Sequence, residues 1–337
     1  MANAAYTRNQ RCYPVIEAAW GTAVAPAGTD CCLITSLATQ AAQAEIPRPD
    51  KTGSLGEIVG IPGRRSATWT AAMSTAGSGV AGTPPDSHAF LQAGFGKAVA
   101  IAAGVSATYA LDDLIYSMSV WHYNAPASVC QYVAIGAIVN QMRFAIGGDV
   151  PMLEVSGPAL WVYDSDQQAD GTTDAIAKGG LAGALPAEPT PTTNGKPPAG
   201  FTGVITLDGN TYGTMRTASI TLGVAKDLPM DTFNSYYGTN PAPGMRVITC
   251  DFGLYDDDSA QLKSFSQKGK SVLKPLVNLS FQWGTVPGNI WTLNLKNVML
   301  PVPTVDYGAT RRALTFTGCR AHDTSIGSKD AVTLVLT

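Results

Sequence analysis

The chain has 337 residues and a formal net charge of −3; 45% of its residues are hydrophobic and only 14% are charged. The acidic balance argues against a nucleic-acid-binding protein, which would carry a basic stripe, and no apolar run approaches the roughly 20 residues of a membrane span. The length predicts two domains, and the low charge content predicts that copies of the chain cover much of its surface.

The chain begins with a segment, residues 1–32, that has no counterpart elsewhere in the sequence and is interpreted as an N-terminal arm. It lacks the apolar stretch of a signal peptide, so the chain is expected to be cytosolic when it is made. The six cysteines, two of them adjacent at Cys31 and Cys32, show no C-x-x-C pair. This spacing favours reduced, buried thiols over a disulfide framework or a zinc site.

Residues 33–163 are expected to form a first β domain, in which buried and polar residues alternate around Trp69. One short helix is predicted from a cap at Asp86 or Ser87 to Gly94. Residues 164–200 have the Pro, Gly, Ala and Thr content of a linker. Residues 201–337 are expected to form a second β domain, with one helix from Asp258 to Gly269.

The two predicted domains show an internal duplication. Pro62-Gly63-Arg64-Arg65 is matched 181 positions later by Pro243-Gly244-Met245-Arg246, and Leu153–Gly157 is matched 161 positions later by Leu314–Gly318. Apolar residues alternate at equivalent positions in both copies, so equivalent residues are expected to face the same side of their strands. The predicted fold is therefore all-β with minor α: two tandem β-sandwich or partial-barrel domains, each with one helix.

No pattern of catalysis is complete. Gly77–Gly82 spells G-x-G-x-x-G, but Pro84-Pro85 follows and the helix starts too late, so a loop is favoured over a dinucleotide site. Asp164–Ala175 lacks the ligands of a calcium loop, and Asp256–Asp258 suits a helix start. The three histidines lack zinc spacing. We expect neither an enzyme nor a cofactor.

Several segments resemble the major tail tube proteins of long-tailed (siphovirus-type) bacteriophages. They are Glu17–Ala23 (EAAWGTA), Lys51–Ser54 leading into Gly60–Arg64, Pro85–Gly96 (PDSHAFLQAGFG), and Asn140–Phe144 followed by Leu153–Gly157. The resemblance covers most of the first half and reaches the second half mainly through the duplication.

The resemblance implies a structural virion protein whose rings stack into a hollow tail tube through which DNA passes without specific binding. A chain with two tube domains is similar to those that form a pseudo-hexamer from three copies. The implied partners are the chain itself, the tail terminator, the baseplate or tip and the tape-measure protein, with no membrane. The implied location is the virion tail, assembled in the host cytoplasm.

Two sets of residues follow from this reading. Strand positions out of phase with Trp69 and Val120 are candidates to line the lumen: Thr68, Thr70, Ser119, Thr249, Asp251 and Ser280. The segments 47–62 and 229–243 keep nearly equal length although their residues differ, and are expected to be hairpin loops that contact the adjacent subunit and the next ring. Their contact residues would be Arg48, Asp50, Lys51 and Glu57 in the first copy, and Phe233, Tyr236 and Tyr237 in the second.

Two alternatives stay open at the level of sequence. One is another β-rich virion component: a tail terminator, a baseplate hub or a capsid decoration protein. The other is a β-sandwich hydrolase or glycan-binding module. Electron microscopy of the purified protein would separate them, as long hollow tubes, closed particles or rings, and monomers respectively.

Overall fold

A computed structural model of the chain consists mostly of β-strands, with two short helices among the residues it describes. This confirms the predicted all-β fold with minor α. None of the helices in this part of the chain is long and apolar enough to cross a membrane. The described residues are 10–51, 53, 56, 58–124, 130–147, 150–164, 185–193, 195–212, 215–224, 226–229, 238, 240–256, 260–307 and 311–337.

Ten strands and one α-helix lie before residue 165 among the described residues. They are β1 (Gln10–Ile16), β2 (Ser36–Arg48), β3 (Ile58–Ser74), α1 (His88–Phe95), β4 (Ala100–Ala102), β5 (Ser106–Ala110), β6 (Met118–Asn124), β7 (Cys130–Ala137), β8 (Gln141–Gly147), β9 (Met152–Ala159) and β10 (Trp161–Asp164).

Eleven strands and one helix follow residue 200 in the described part of the chain. They are β11 (Val204–Leu207), β12 (Asn210–Tyr212), β13 (Met215–Gly223), β14 (Lys226–Asp227), β15 (Ala242–Pro243), β16 (Val247–Tyr255), α2 (Ala260–Lys270), β17 (Leu276–Trp283), β18 (Trp291–Met299), β19 (Thr304–Asp306), β20 (Ala313–Ala321) and β21 (Val332–Leu336).

The two halves repeat the same strand order in two layers. In the first half, the layer β1-β6-β7-β10 packs over the layer β2-β3-β9-β8. In the second half, β11-β17-β18-β21 corresponds to the first of these layers and β13-β16-β20-β19 to the second. Each half is therefore a β-sandwich. The layer that contains β3 and β16 is called the inner layer below, and the other the outer layer.

The register of the inner layer confirms the internal duplication. Leu37 of β2 lies opposite Ala71 of β3. Adding 181 to both numbers gives Ala218 and Phe252, which lie opposite each other on β13 and β16. Phe252 in turn lies opposite Phe316, the residue 161 positions after Val155, and Val155 lies opposite Ala71. The offsets between the sequence repeats are therefore also the offsets between the paired residues of the strands. A shift of one residue in this register would turn the core side chains outward.

The inner layers of the two halves form one continuous sheet. β8, the last inner strand of the first half, pairs with β13, the first inner strand of the second, from Gly147–Thr217 to Gln141–Gly223. The sheet runs β2-β3-β9-β8-β13-β16-β20-β19. The sequence-based boundaries 33–163 and 201–337 stay a prediction, since the halves share this sheet.

The N-terminal segment is integrated into the first sandwich and is not a separate arm from residue 10 onward. β1 pairs with β6 along its whole length, so residues 10–16 correspond to β11 of the second half. Strand pairing between distant segments leaves no local sequence signal, which is why the counterpart was missed. Part of the predicted linker packs here as well, since the Tyr13 hydroxyl donates a hydrogen bond to Glu188 (2.9 Å). Both faces of β6 are consequently buried.

The helices occupy the predicted places and close the cores. α1 ends at Phe95 and is capped by Gly96, whose φ of +72° suits a glycine C-cap; this cap lies two residues beyond the predicted Gly94. Its Phe90 stacks on Trp69 with ring centroids 5.5 Å apart. In α2, the Phe265 ring lies 5.9 Å from that of Phe252. The predicted cap Asp258 lies outside the described residues.

The glycine-rich segment Gly77–Gly82 is a loop, and α1 starts only at His88. A Cβ atom on Gly77 would lie 2.1 Å from the carbonyl oxygen of Gly288 in the second half. The Gly79 amide donates a hydrogen bond to the same oxygen (3.2 Å). These glycines therefore allow two backbones from different halves to meet closely.

Candidate assembly surface

The inner sheet has one face on the core and one face away from it. Alternate residues such as Trp69 and Cys250 are buried, while their neighbours are exposed or half-buried. The outward positions of the central strands are rich in small hydroxyl side chains. These are Thr68, Thr70, Ser156, Ser219, Thr221 and Thr249.

Two ion pairs lie on this outward face. Arg143 Nη1 lies 3.0 Å from Glu154 Oε2, and Arg143 Nε donates to Ser219 Oγ across the β8–β13 junction (2.9 Å). Arg216 pairs with Asp306 of β19 (2.8 Å). Each pair cancels one positive with one negative charge. The exposed Arg320, opposite Thr249, and the exposed Asp251 add one charge of each sign, so the face has little net field.

Four of the six proposed lumen residues share this face. Thr68 and Thr70 on β3 and Thr249 and Asp251 on β16 are exposed or half-buried on the continuous sheet. The Asp251 carboxylate accepts a hydrogen bond from the Gly318 amide (2.6 Å). These four residues alternate with buried apolar residues along β3 and β16, and their lining of a lumen stays a prediction.

Ser119 and Ser280, the other two predicted lumen residues, do not belong to this face. Both lie on the outer layer, on β6 and β17, across the core from β3 and β16. Ser119 is fully buried because both faces of β6 are covered, whereas Ser280 is half-buried. The alternation of residues along a strand predicts which of them face the core. It does not predict which of the two layers the strand belongs to.

A buried carboxylate fastens the N-terminal segment to the outer layer. Glu17 Oε1 accepts hydrogen bonds from Ser119 Oγ (2.9 Å) and the Gly136 amide (2.9 Å). Its Oε2 accepts from Ser117 Oγ (2.7 Å) and the Gly21 amide (2.9 Å). Burial raises the pKa of Glu17, although the four donors favour the ionised form and act against that rise. The segment Glu17–Ala23 thus has a structural role that the sequence did not reveal.

The first predicted contact loop is the end of a long hairpin. β2 and β3 stay paired from Ser36–Ala72 out to Arg48–Ile58, whereas β9 covers β3 only from Ala67 onward. The projecting part exposes Ile46 and Val59 (54% and 83%), and Arg48 pairs with Asp50 at 2.6 Å. Lys51 is exposed, and Glu57 lies outside the described residues. The hairpin presents apolar and polar groups without cover from the described part of its own chain.

The second predicted contact loop starts from the short hairpin β14–β15. Its predicted contact residues Phe233, Tyr236 and Tyr237 lie outside the described residues. At its base, the buried Lys226 Nζ donates to the carbonyl oxygen of Ala93 in the last turn of α1 (2.7 Å). Burial, with the nearby positive charge of Arg246, lowers the pKa of Lys226 to about 8. The lysine therefore links the second hairpin to the helix of the first half.

Two of the histidines and the described cysteines are packed in the interior. In the described part of the chain, no three His, Cys, Asp or Glu side chains are grouped to hold a metal ion. His88 Nδ1 lies 2.9 Å from the Tyr109 hydroxyl, and burial lowers the pKa of both His88 and His122. The described cysteine side chains are buried free thiols: Cys12, Cys31, Cys32, Cys250 and Cys319.

These features define a β-sheet protein of two fused sandwich repeats with a broad polar face and a projecting hairpin. The sequence model of the family described as phage tail tube protein matches residues 8–337. The chain therefore belongs to the phage tail tube protein family. No curated protein matches it. Family membership makes it a structural component of a virion tail.

Proposed function

We propose that three copies of the chain close into a ring, and that the rings stack into the hollow tube of a long phage tail, through which DNA passes during ejection. The main support for a closed ring is the continuous inner sheet. Among the described residues, no strand pairs with the outer edge of its two end strands, β2 and β19. Open edges invite aggregation unless they are paired. Closure into a circle pairs both edges.

The strand count supports three copies. Each chain supplies eight inner strands, so three chains give a closed barrel of about 24, whose width grows with strand number. A strand spacing of about 4.8 Å and a tilt of about 40° set opposite backbones about 50 Å apart. A channel of this width admits a DNA duplex.

The outward face of the inner sheet is suited to line that channel. Its hydroxyl groups can contact phosphate weakly, while Arg143 and Arg216 are held by Glu154 and Asp306. Unpaired cationic side chains would release counterions from DNA and retain it. Paired charges let the duplex slide, so Thr68, Thr70, Thr249 and Asp251 are the proposed lumen residues.

The β2–β3 hairpin is the proposed contact to the adjacent subunit and the next ring. It exposes Ile46 and Val59 beyond the rest of the sheet, where a neighbouring copy can bury them. The residues Arg48, Asp50, Lys51 and Glu57 would supply polar contacts. Phe233, Tyr236 and Tyr237 are proposed as the equivalent contacts of the second copy.

The tail terminator, the baseplate or tip, and the tape-measure protein are the proposed further partners. Assembly would take place in the host cytoplasm and would need neither a membrane nor a cofactor. The protein would act without catalysis. The described titratable groups in packing roles support this view.

Native mass spectrometry of isolated rings tests the proposal. Three chains of 35.1 kDa per ring are expected, with the unassembled chain as the mass reference. Six chains per ring would contradict it, because twelve repeats would then surround the channel. A chain that stays monomeric at high concentration would also contradict it.

A further inference from the structure

The junction between the two halves is a complete example of how two repeats join. β8 lies between β9 and β13, and its side chains Phe144 and Ile146 are buried. Opposite them on β13, Ile220 and Ala218 are buried too. Main-chain pairing and core cover are therefore both satisfied at this junction.

The counterpart of β8 at the other end of the chain lacks that cover. Arg143 lies opposite Glu154, and 161 positions later Thr304 of β19 lies opposite Thr315 of β20. The positions of Phe144 and Ile146 then fall on Val305 and Tyr307, which are 40% and 76% exposed. Two positions that are core in the first half thus lie open at the end of the second.

The counterpart of β13 at the start of the sheet is β2. Subtracting 181 from Ile220 and Ala218 gives Thr39 and Leu37, and the pairing of β2 with β3 keeps that offset. Ala41, the counterpart of the buried Leu222, is exposed. β2 and β19 are therefore the counterparts of β13 and β8, the two strands that meet at the junction inside the chain.

We propose that β19 of one copy pairs antiparallel with β2 of a second copy, in the register of the β8–β13 junction. Thr304 then lies opposite Gln40, Val305 opposite Thr39, and Tyr307 opposite Leu37 of the second copy. The register follows because Arg143 lies opposite Thr221, and the offsets carry these two residues to Thr304 and Gln40. The inference rests on the proposed ring and specifies its contact.

The contact between copies is weaker than the junction inside the chain. Phe144 and Ile220 are replaced by the smaller Val305 and Thr39, which bury less apolar surface. The hydrogen bond from Arg143 to Ser219 has no equivalent, because Thr304 stands at the position of the arginine. A weaker closing contact keeps the chain soluble until several contacts form together.

Disulfide cross-linking tests the register. Residues directly opposite on antiparallel strands have Cβ atoms about 4.5–5.5 Å apart, close enough for a disulfide after a small adjustment. The variant Gln40→Cys/Thr304→Cys is assembled, treated with a mild thiol oxidant and run on a non-reducing gel. Covalent species of two and three chains are expected, and the wild type, whose described thiols are buried, should give none.

Two controls make the result specific. Arg143→Cys/Thr221→Cys is the same pair inside the chain and should close without any gain in mass. Ala38→Cys/Thr304→Cys is displaced by two residues, to a distance of about 7–8 Å, and should cross-link at least tenfold less. Equal or stronger cross-linking of this displaced pair would overturn the proposed register.

Electron microscopy of the same samples separates this inference from the ring itself. Rings of Gln40→Cys/Thr304→Cys without covalent dimers would overturn the register and leave the ring standing. If the wild type forms no rings, the proposed function and the inference fail together. If only this variant fails to assemble, Ala42→Cys/Val302→Cys replaces it, since Gln141–Gly223 predicts that pair; rings of that variant without cross-links would overturn the register.

Discussion

Replacing Glu17 by glutamine should destabilise the unassembled chain through a single backbone amide. The carboxylate accepts two hydrogen bonds at each oxygen, one from a serine hydroxyl and one from an amide, of Gly136 or Gly21. Glutamine keeps one oxygen and turns its NH₂ group towards one of these pairs. The serine hydroxyl can rotate to accept from the NH₂ group, whereas the amide cannot, and one buried N–H is left unsatisfied.

The expected loss is about 1–3 kcal/mol, the cost of one buried donor without an acceptor. Glutamine also removes the desolvation cost of a buried charge, which raises the pKa of Glu17, so the lower half of that range is favoured. Glu17→Ala leaves both amides without the carboxylate and should cost about 4 kcal/mol.

Urea unfolding of the monomeric chain, followed by tryptophan fluorescence, measures these differences. Glu154→Gln is the matched control, because its ion pair with Arg143 is about half exposed and should be worth at most about 1 kcal/mol. A Glu17→Gln variant that is no less stable than Glu154→Gln would refute the role given to the four hydrogen bonds.

Three further predictions concern the contacts between the halves and between copies. As the pH rises from 8 to 10.5, the free energy of unfolding of the wild type should rise by about 3 kcal/mol relative to that of Lys226→Met. The reason is that Lys226 loses its proton at lower pH in the folded chain than in the unfolded chain. If the stability of both proteins depends on pH in the same way, the pKa of about 8 is wrong. Gly77→Ala should cost about 1–3 kcal/mol by forcing the loop away from Gly288, and Gly223→Ala, which meets only a 3.4 Å contact, should cost less; equal costs would argue against the close approach. Deleting residues 52–57 should leave a folded chain that no longer forms long tubes in electron micrographs, and tubes of normal length would exclude the hairpin from stacking.

Most of the fold could be predicted from periodic patterns in the sequence. The offset of 181 between Pro62 and Pro243 is also the offset of the strand register, because both copies must bury the same alternate positions. The helices were predicted from their capping residues and small apolar faces. Alternating apolar residues and helix-capping residues occur in each half, and both are recognisable in the amino-acid sequence.

Contacts between distant segments were not predictable from those patterns. The pairing of β1 with β6 and the hydrogen bonds to Glu17 join residues about a hundred positions apart. The burial of Ser119 was not predictable for this reason: the N-terminal segment and Leu185 pack on the outer face of β6, which a strand pattern cannot show. The contact residues on the second hairpin stay a prediction.

A cryo-electron microscopy reconstruction of assembled material tests the central claim most directly. We predict three chains per ring around an open channel, with one barrel of about 24 strands and with Thr68, Thr70, Thr249 and Asp251 facing the lumen. Six chains per ring, or a channel lined by the outer layer that contains Ser280, would contradict the account.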